Sequence, residues 1–189
     1  MLVKPTTIEG VYEIYPRVFE DERGYFFESF QQEKLRAQGI DVAFVQDNQS
    51  FSKKGVLRGL HLQLPPYEQD KLVGVIWGSV IDVVVDIRPG SPTFGRWEAF
   101  HLDAREHKRL FVPKGMAHGF VTLEDTVFAY KCSEYYHPEA ESGIVWNDPD
   151  LAIDWGVSAP IVSGKDRQLP SFKVFCEEVL PKIKEFYTP

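Results

Sequence analysis

Short β-type runs recur along this chain at a regular spacing, and that spacing restricts the fold more than any other feature. Runs at residues 71–77, 80–87, 97–102, 109–112, 118–123 and 127–132 are separated by Gly, Pro or charged turns. Such a series predicts an all-β sandwich or barrel, not alternating β and α units. Earlier runs at 11–18, 25–30, 42–45 and 56–63 extend it. Gly78-Ser79, between two of the runs, reads as a hairpin turn. On the return strand Asp82 and Asp86 share parity with Val84, whereas Ile81, Val83, Val85 and Ile87 face the other way. One face is therefore expected to be buried and the other at least partly wet. Helices are expected only at 31–38, stopped by Gly39 at a C-cap, and at 172–180, where Phe172, Phe175 and Val179 share a face. Residues 136–171 read as loop.

A chain of 189 residues suits one domain spanning 1–189. A formal net charge of -7 argues against a nucleic-acid polymer as partner, since a phosphate backbone wants a basic face. Cys132 and Cys176 form neither a disulfide framework nor a zinc spacing and read as packed thiols. The first residues, Met1-Leu2-Val3-Lys4-Pro5, lack a signal-peptide apolar run, and no stretch is apolar for the roughly 18 residues a membrane span needs. A cytoplasmic protein with reduced thiols is expected, with no membrane contact.

Three stretches carry chemistry. In Val56-Leu57-Arg58-Gly59-Leu60-His61-Leu62-Gln63 a cation and an imidazole interrupt an aliphatic strand, which suggests a face lining a cavity. Gly59 lets another group approach the backbone. His61 is the candidate general base at the centre of the barrel, because imidazole titrates near working pH. Arg58 and His61 have opposite parity in an ideal strand, so both reach one ligand only if the strand bulges, twists or ends between them. Arg23 and Glu28 bracket an aromatic run whose phenylalanines read as core; the two charges suit either a ligand rim or a solvated edge. Gln46-Asp47-Asn48-Gln49-Ser50 reads as a loop or as a dense hydrogen-bonding surface.

Pro113-Lys114-Gly115-Met116-Ala117-His118 resembles the second box of the cupin superfamily. The first box reads His61-Leu62-Gln63, with glutamine where metal-binding cupins place a second histidine. Glutamine is a poor ligand for the metals of such sites, so neither metal nor other cofactor is expected. Phe19-x-Asp21-x-Arg23-Gly24, Phe44-Val45-Gln46-Asp47-Asn48, Leu57-Arg58-Gly59-Leu60-His61-x-Gln63, Lys71-Leu72-Val73, Ala117-His118-Gly119-Phe120, Tyr130-Lys131 and Ser163-x-Lys165-Asp166 together resemble the dTDP-4-dehydrorhamnose 3,5-epimerase family, in order.

That resemblance implies a cupin-type jelly-roll barrel with short peripheral helices, one of them C-terminal. It implies an isomerase of dTDP-rhamnose biosynthesis that epimerises C3 and C5 of a dTDP-4-keto-6-deoxyhexose through enolates. His61 is then the base, Asp166 its orienting carboxylate, Lys71 the cation for the enolate oxygen and Tyr130 the acid. It carries Arg23, Glu28, Gln46, Asp47, Asn48, Arg58, His118, Glu141 and Lys165 into contact with the sugar nucleotide, with Tyr136 as a stacking platform for thymine. It further implies a homodimer with N-terminal strand exchange, for which the run at 25–30 is the candidate. Gly74 stands where the family often has a basic residue, and Gln49 where histidine is common. A C3-only epimerase and a silent sugar-nucleotide-binding barrel are the alternatives.

Overall fold

A computed structural model describes residues 1–187. Among the described residues fourteen strands are formed: β1 (Leu2–Pro5), β2 (Tyr12–Tyr15), β3 (Val18–Asp21), β4 (Gly24–Phe27), β5 (Gln46–Ser52), β6 (Val56–Gln63), β7 (Lys71–Trp77), β8 (Ser79–Asp86), β9 (Trp97–Asp103), β10 (Arg109–Val112), β11 (Met116–Thr122), β12 (Thr126–Cys132), β13 (Glu141–Gly143) and β14 (Ile161–Val162). One sheet has the order β1-β2-β10-β7-β12-β5, and the other β13-β6-β11-β8-β9 with β14 beside β6. Val73, Val75 and Phe128 of the first pack against Val80, Val84 and Phe120 of the second. The two sheets thus close on one apolar core, the expected cupin-type jelly roll.

The second sheet is buried on both faces. Leu57, Leu60, Leu62, Val83, Val85 and Ile87 point away from the barrel and are covered by the later chain, notably Trp155 and Phe175. Phe175 is wholly buried, a contribution of about 2–3 kcal/mol. It lies in a helical segment that runs through Phe172–Val174, a wide turn at Phe175–Val179 and Leu180–Ile183, beyond the expected end at 180. Asp82 and Asp86 are therefore not on a wet face. Both are fully buried, Asp86 held by Arg88, Ser91 and Thr93 and Asp82 by His118.

The expected hairpin at Gly78-Ser79 does not form. β7 pairs with β10 and β12, while β8 pairs with β9 and β11. At Gly78 the chain crosses from one sheet to the other. This residue has φ +85°, and a Cβ there would lie 2.5 Å from the Asp125 carbonyl oxygen, so the crossing admits only glycine.

Other boundaries moved for local reasons. The run at 11–18 breaks at Pro16, which has no N–H for a ladder, and resumes as β3. Residues 42–45 form no strand; Val42 and Phe44 instead pack with Leu35 of the helix α1 (Gln32–Arg36). The polar run after them is not a loop but the edge strand β5, its residues alternating between half-buried and exposed. The aromatic run is not core. β3 and β4 form a separate two-stranded hairpin, on which Phe26 is 67% exposed. Helix α1 begins at the Gln31 side-chain cap, and Gly39 follows its end at φ +88°.

Gly59 has φ +136°, and a Cβ there would lie 2.6 Å from the Gly119 Cα. Gly59→Ala is expected to destabilise the fold by about 3 kcal/mol, read as a lower urea midpoint at unchanged slope.

Candidate active site

Of the three ways the sequence left open for Arg58 and His61 to share a ligand, the structure takes the bulge. In the β6–β11 ladder His61 pairs with His118 and Arg58 with Phe120, so two residues of β6 oppose the single Gly119. The extra residue resets the parity. Leu57, Leu60 and Leu62 all join the outer core, and Arg58, His61 and Gln63 are left to turn inward.

Asp166 locks this arrangement. Its Oδ1 lies 2.8 Å from His61 Nε2, and its Oδ2 accepts the Gly59 N–H at 3.2 Å. With Nε2–H donating to the carboxylate, Nδ1 of the ring is the basic nitrogen. Burial pushes the Asp166 carboxyl up, yet the bonds from His61 and Gly59 outweigh it and hold it below its ordinary value. It remains an anion beside the imidazole, suited to stabilise an imidazolium.

Across from β6 the first sheet supplies Lys71 from β7 and Tyr130 from β12. Burial pushes the Lys71 ammonium down, offset in part by Cys132, Asp82 and Glu141. Among the described residues it has no hydrogen bond and no ion pair, so it is free for a ligand oxygen. Burial likewise pushes the Tyr130 phenol up, which keeps its proton in place. His61, Lys71 and Tyr130 line one cleft of about 300 Å³, with Gln46, Asn48 and Glu141 among its other walls. A larger hollow of about 530 Å³ lies beside Tyr25, Trp77 and His107, away from His61, Lys71 and Tyr130.

At the cleft mouth Glu141 Oε2 accepts from the Tyr136 hydroxyl and from Lys165 Nζ, both at 2.6 Å. Burial raises the Glu141 carboxyl, but these two donors outweigh it and hold it below its ordinary value. Arg58 flanks the site, its Nε bonded to Ser52 Oγ at 3.0 Å. His118 lies behind His61, nearly buried, with Nε2 2.9 Å from both Asp82 oxygens.

Three expected site residues lie elsewhere. Asp47 points to the outer face of β5, against Lys131. Arg23 sits at the hairpin tip, paired with Asp21, and Glu28 pairs with Lys34. Gln63 and Gln69 were missed as cleft residues, although both line it. Gln63 shares parity with His61 two residues away, which was the available signal.

The residues present do not fit a cupin metal centre. Gln63 has its amide occupied by backbone partners and His118 has its Nε2 occupied by Asp82. Among the described residues no group of three His, Cys, Asp or Glu is placed to hold a metal.

Residues 5–174 match the model of the dTDP-4-dehydrorhamnose 3,5-epimerase family. The chain belongs to that family. Its relatives include the dTDP-4-dehydrorhamnose 3,5-epimerase of Escherichia coli, 52% identical over 172 residues that cover 89% of this chain and 93% of the relative. A crystal structure of the Legionella pneumophila enzyme in complex with dTDP-4-keto-L-rhamnose is 46% identical, with TM-score 0.88 over 92% of this chain and 93% of that one. The Mycobacterium tuberculosis epimerase superposes over the full length of both chains with TM-score 0.92 at 39% identity. The chain is accordingly an isomerase with a cupin-like barrel.

The lowered Asp166 value has a measurable sign. A carboxyl depressed below its ordinary 3.8 adds stability that is complete above that pH and is lost as pH falls through the lowered value. In urea titrations, the stability gap between the parent and Asp166→Asn is expected to be widest above about pH 5 and to narrow steadily below about pH 4.

Proposed function

We propose that this chain, acting as one cupin-like domain, converts dTDP-4-dehydro-6-deoxy-D-glucose to dTDP-4-dehydro-L-rhamnose by inverting C3 and C5 without a cofactor. One observation carries the reading: the base and the acid come from opposite sheets. His61 stands on β6 and Tyr130 on β12, and both face the same cleft. A sugar ring held between them presents one face to each.

The C4 carbonyl acidifies the neighbouring C–H bonds. His61 Nδ1 takes the proton from one such carbon, and the bonding pair passes to the C4 oxygen as an enolate. Lys71 meets that developing charge from a fixed position in a largely dry pocket. As the enolate collapses, the Tyr130 hydroxyl delivers a proton to the same carbon from the other face, which inverts it. The phenolate recovers a proton and the imidazolium loses one to solvent, and the cycle repeats at the second centre. Asp166 stabilises the imidazolium throughout. Arg58 offers a planar fork for the diphosphate, and Tyr136 with Glu141 and Lys165 meets the nucleoside at the mouth.

Proton NMR in heavy water tests this directly. Deuterium is expected at both C3 and C5, with His61→Ala slowing incorporation at both by about 1,000-fold and Tyr130→Phe slowing inversion by about 100-fold or more. Label at C3 alone would move the reading to a C3-only epimerase. Bound ligand with no label would leave only a silent binding barrel.

We further propose a homodimer in which the β3–β4 hairpin reaches the partner's cleft and brings Arg23 and Glu28 to the sugar nucleotide. Among the described residues the hairpin pairs with no other strand, and its Phe19, Tyr25 and Phe26 are exposed, as are Phe51, Ile76 and Trp77 on the first sheet's edge and outer face. Apolar surface of this extent marks an interface. The dimer works in the cytoplasm, where the free Cys132 and Cys176 stay reduced. Mixing and refolding Arg23→Ala with His61→Ala chains is expected to restore about a quarter of the parent activity, because half of the dimers then contain one complete site. If Arg23 serves its own chain's cleft, no mixture recovers.

A further inference from the structure

Gln63 occupies the position that metal-binding cupins give to a ligand histidine, and its amide is fully committed elsewhere. The side chain is 6% exposed. Its Nε2 donates to the Tyr67 carbonyl at 2.6 Å and to the Tyr135 carbonyl at 3.1 Å. Its Oε1 accepts the His137 N–H at 2.7 Å. Both N–H groups and the carbonyl oxygen are thus engaged, all with backbone, and the partners lie on two different loops.

Those loops are also tied at their ends, where the Asp70 N–H donates to Ser133 Oγ at 2.8 Å, the Ser133 N–H to the Asp70 carbonyl at 3.0 Å and the Leu64 N–H to the Ala140 carbonyl at 2.8 Å; Gln63 joins them between those points. Residues 64–70 and 133–137 lie outside any strand or helix. The Tyr136 N–H finds its acceptor in Gln46 Oε1 at 3.1 Å, and Gln69 Nε2 donates to the Glu134 carbonyl at 2.8 Å. The Tyr67 and His137 rings stack with centroids 3.8 Å apart. An irregular segment whose amides are satisfied by buried side chains, not by water, is held in one conformation. Tyr136 is the residue so held, with Gln63 bonded to the backbone on either side of it.

We propose that Gln63 is a positioning residue: it clamps the cleft wall that carries Tyr136 and thereby sets affinity for the nucleoside diphosphate end of the substrate. The inference rests on the reading that Tyr136 meets the nucleoside. Gln63 has no bond to His61, Lys71, Tyr130 or Asp166. Loosening the wall therefore costs binding and spares the proton transfers.

Gln63→Glu keeps the shape, removes both donors and sets a negative charge against two carbonyl oxygens. Calorimetric titration with dTDP is expected to show affinity reduced about tenfold or more, with KM raised to match and kcat within about threefold of the parent. Tyr136→Ala is expected to show the same pattern, and the double variant no further loss, because the two act as one unit. A Gln63 of merely structural importance would lower the melting temperature and the active fraction, with affinity unchanged in the folded protein; that result overturns the clamp. If Gln63→Glu does not fold, Gln69→Leu removes the neighbouring bond without burying a charge and is expected to weaken dTDP about threefold; unchanged affinity there also overturns it. Full dTDP affinity in Tyr136→Ala would show that the Tyr136 reading had failed, and the clamp with it. Loss in Tyr136→Ala but not in Gln63→Glu refutes the clamp alone.

Discussion

The approach of Gly59 to Gly119 is the contact on which the site depends. Two backbones meet where any Cβ would collide, and the ladder absorbs one extra residue there. The consequence is chemical as well as geometric. The bulge turns His61 into the barrel beside Arg58, and it frees the Gly59 N–H to bind Asp166, whose other oxygen holds the imidazole. A carboxylate 105 residues away in sequence thus ties the bulge and the base into one unit. Either glycine replaced by a larger residue would disturb both together.

The barrel adds what a flat sheet could not. Two sheets facing each other bring His61 from one wall and Tyr130 from the other to a single cleft, with Tyr130 packed against the apolar core of Val73, Phe120 and Phe128. There Lys71, an ammonium with no hydrogen bond or ion pair among the described residues, is costly to bury. The buried carboxylates of the barrel sheet are paired. Asp82 takes His118, and Asp86 takes Arg88, Ser91 and Thr93. Gln63, at the position where metal-binding cupins place a ligand histidine, is likewise fully engaged, donating to the Tyr67 and Tyr135 carbonyls and accepting the His137 N–H.

Much of this was legible from the residues. Alternation and turn residues gave most strands within a residue or two, and the opposed parity of Arg58 and His61 called for a bulge, a twist or a strand end between them without choosing among these. What misled was local evidence with a nonlocal answer. Gly78-Ser79 has the composition of a hairpin turn, but whether two runs pair or part at a glycine depends on strands that arrive later, β10 to β12. The aromatic run at 25–30 reads as core because burial is inferred from side-chain type. The hairpin instead projects Phe19, Tyr25 and Phe26 outward, away from this chain's own core.

The sequence by itself determined the class of fold and the family, because periodicity, turn chemistry and ordered motifs are local properties of a chain. Only the tertiary structure decided which sheet each strand joined, that Asp47 faces away from the cleft while Gln63 and Gln69 line it, and that Arg23 lies far from the base in its own chain. Those are questions of distance between residues remote in sequence. Side-chain type and spacing have no term for such distances; closure of the barrel supplies it.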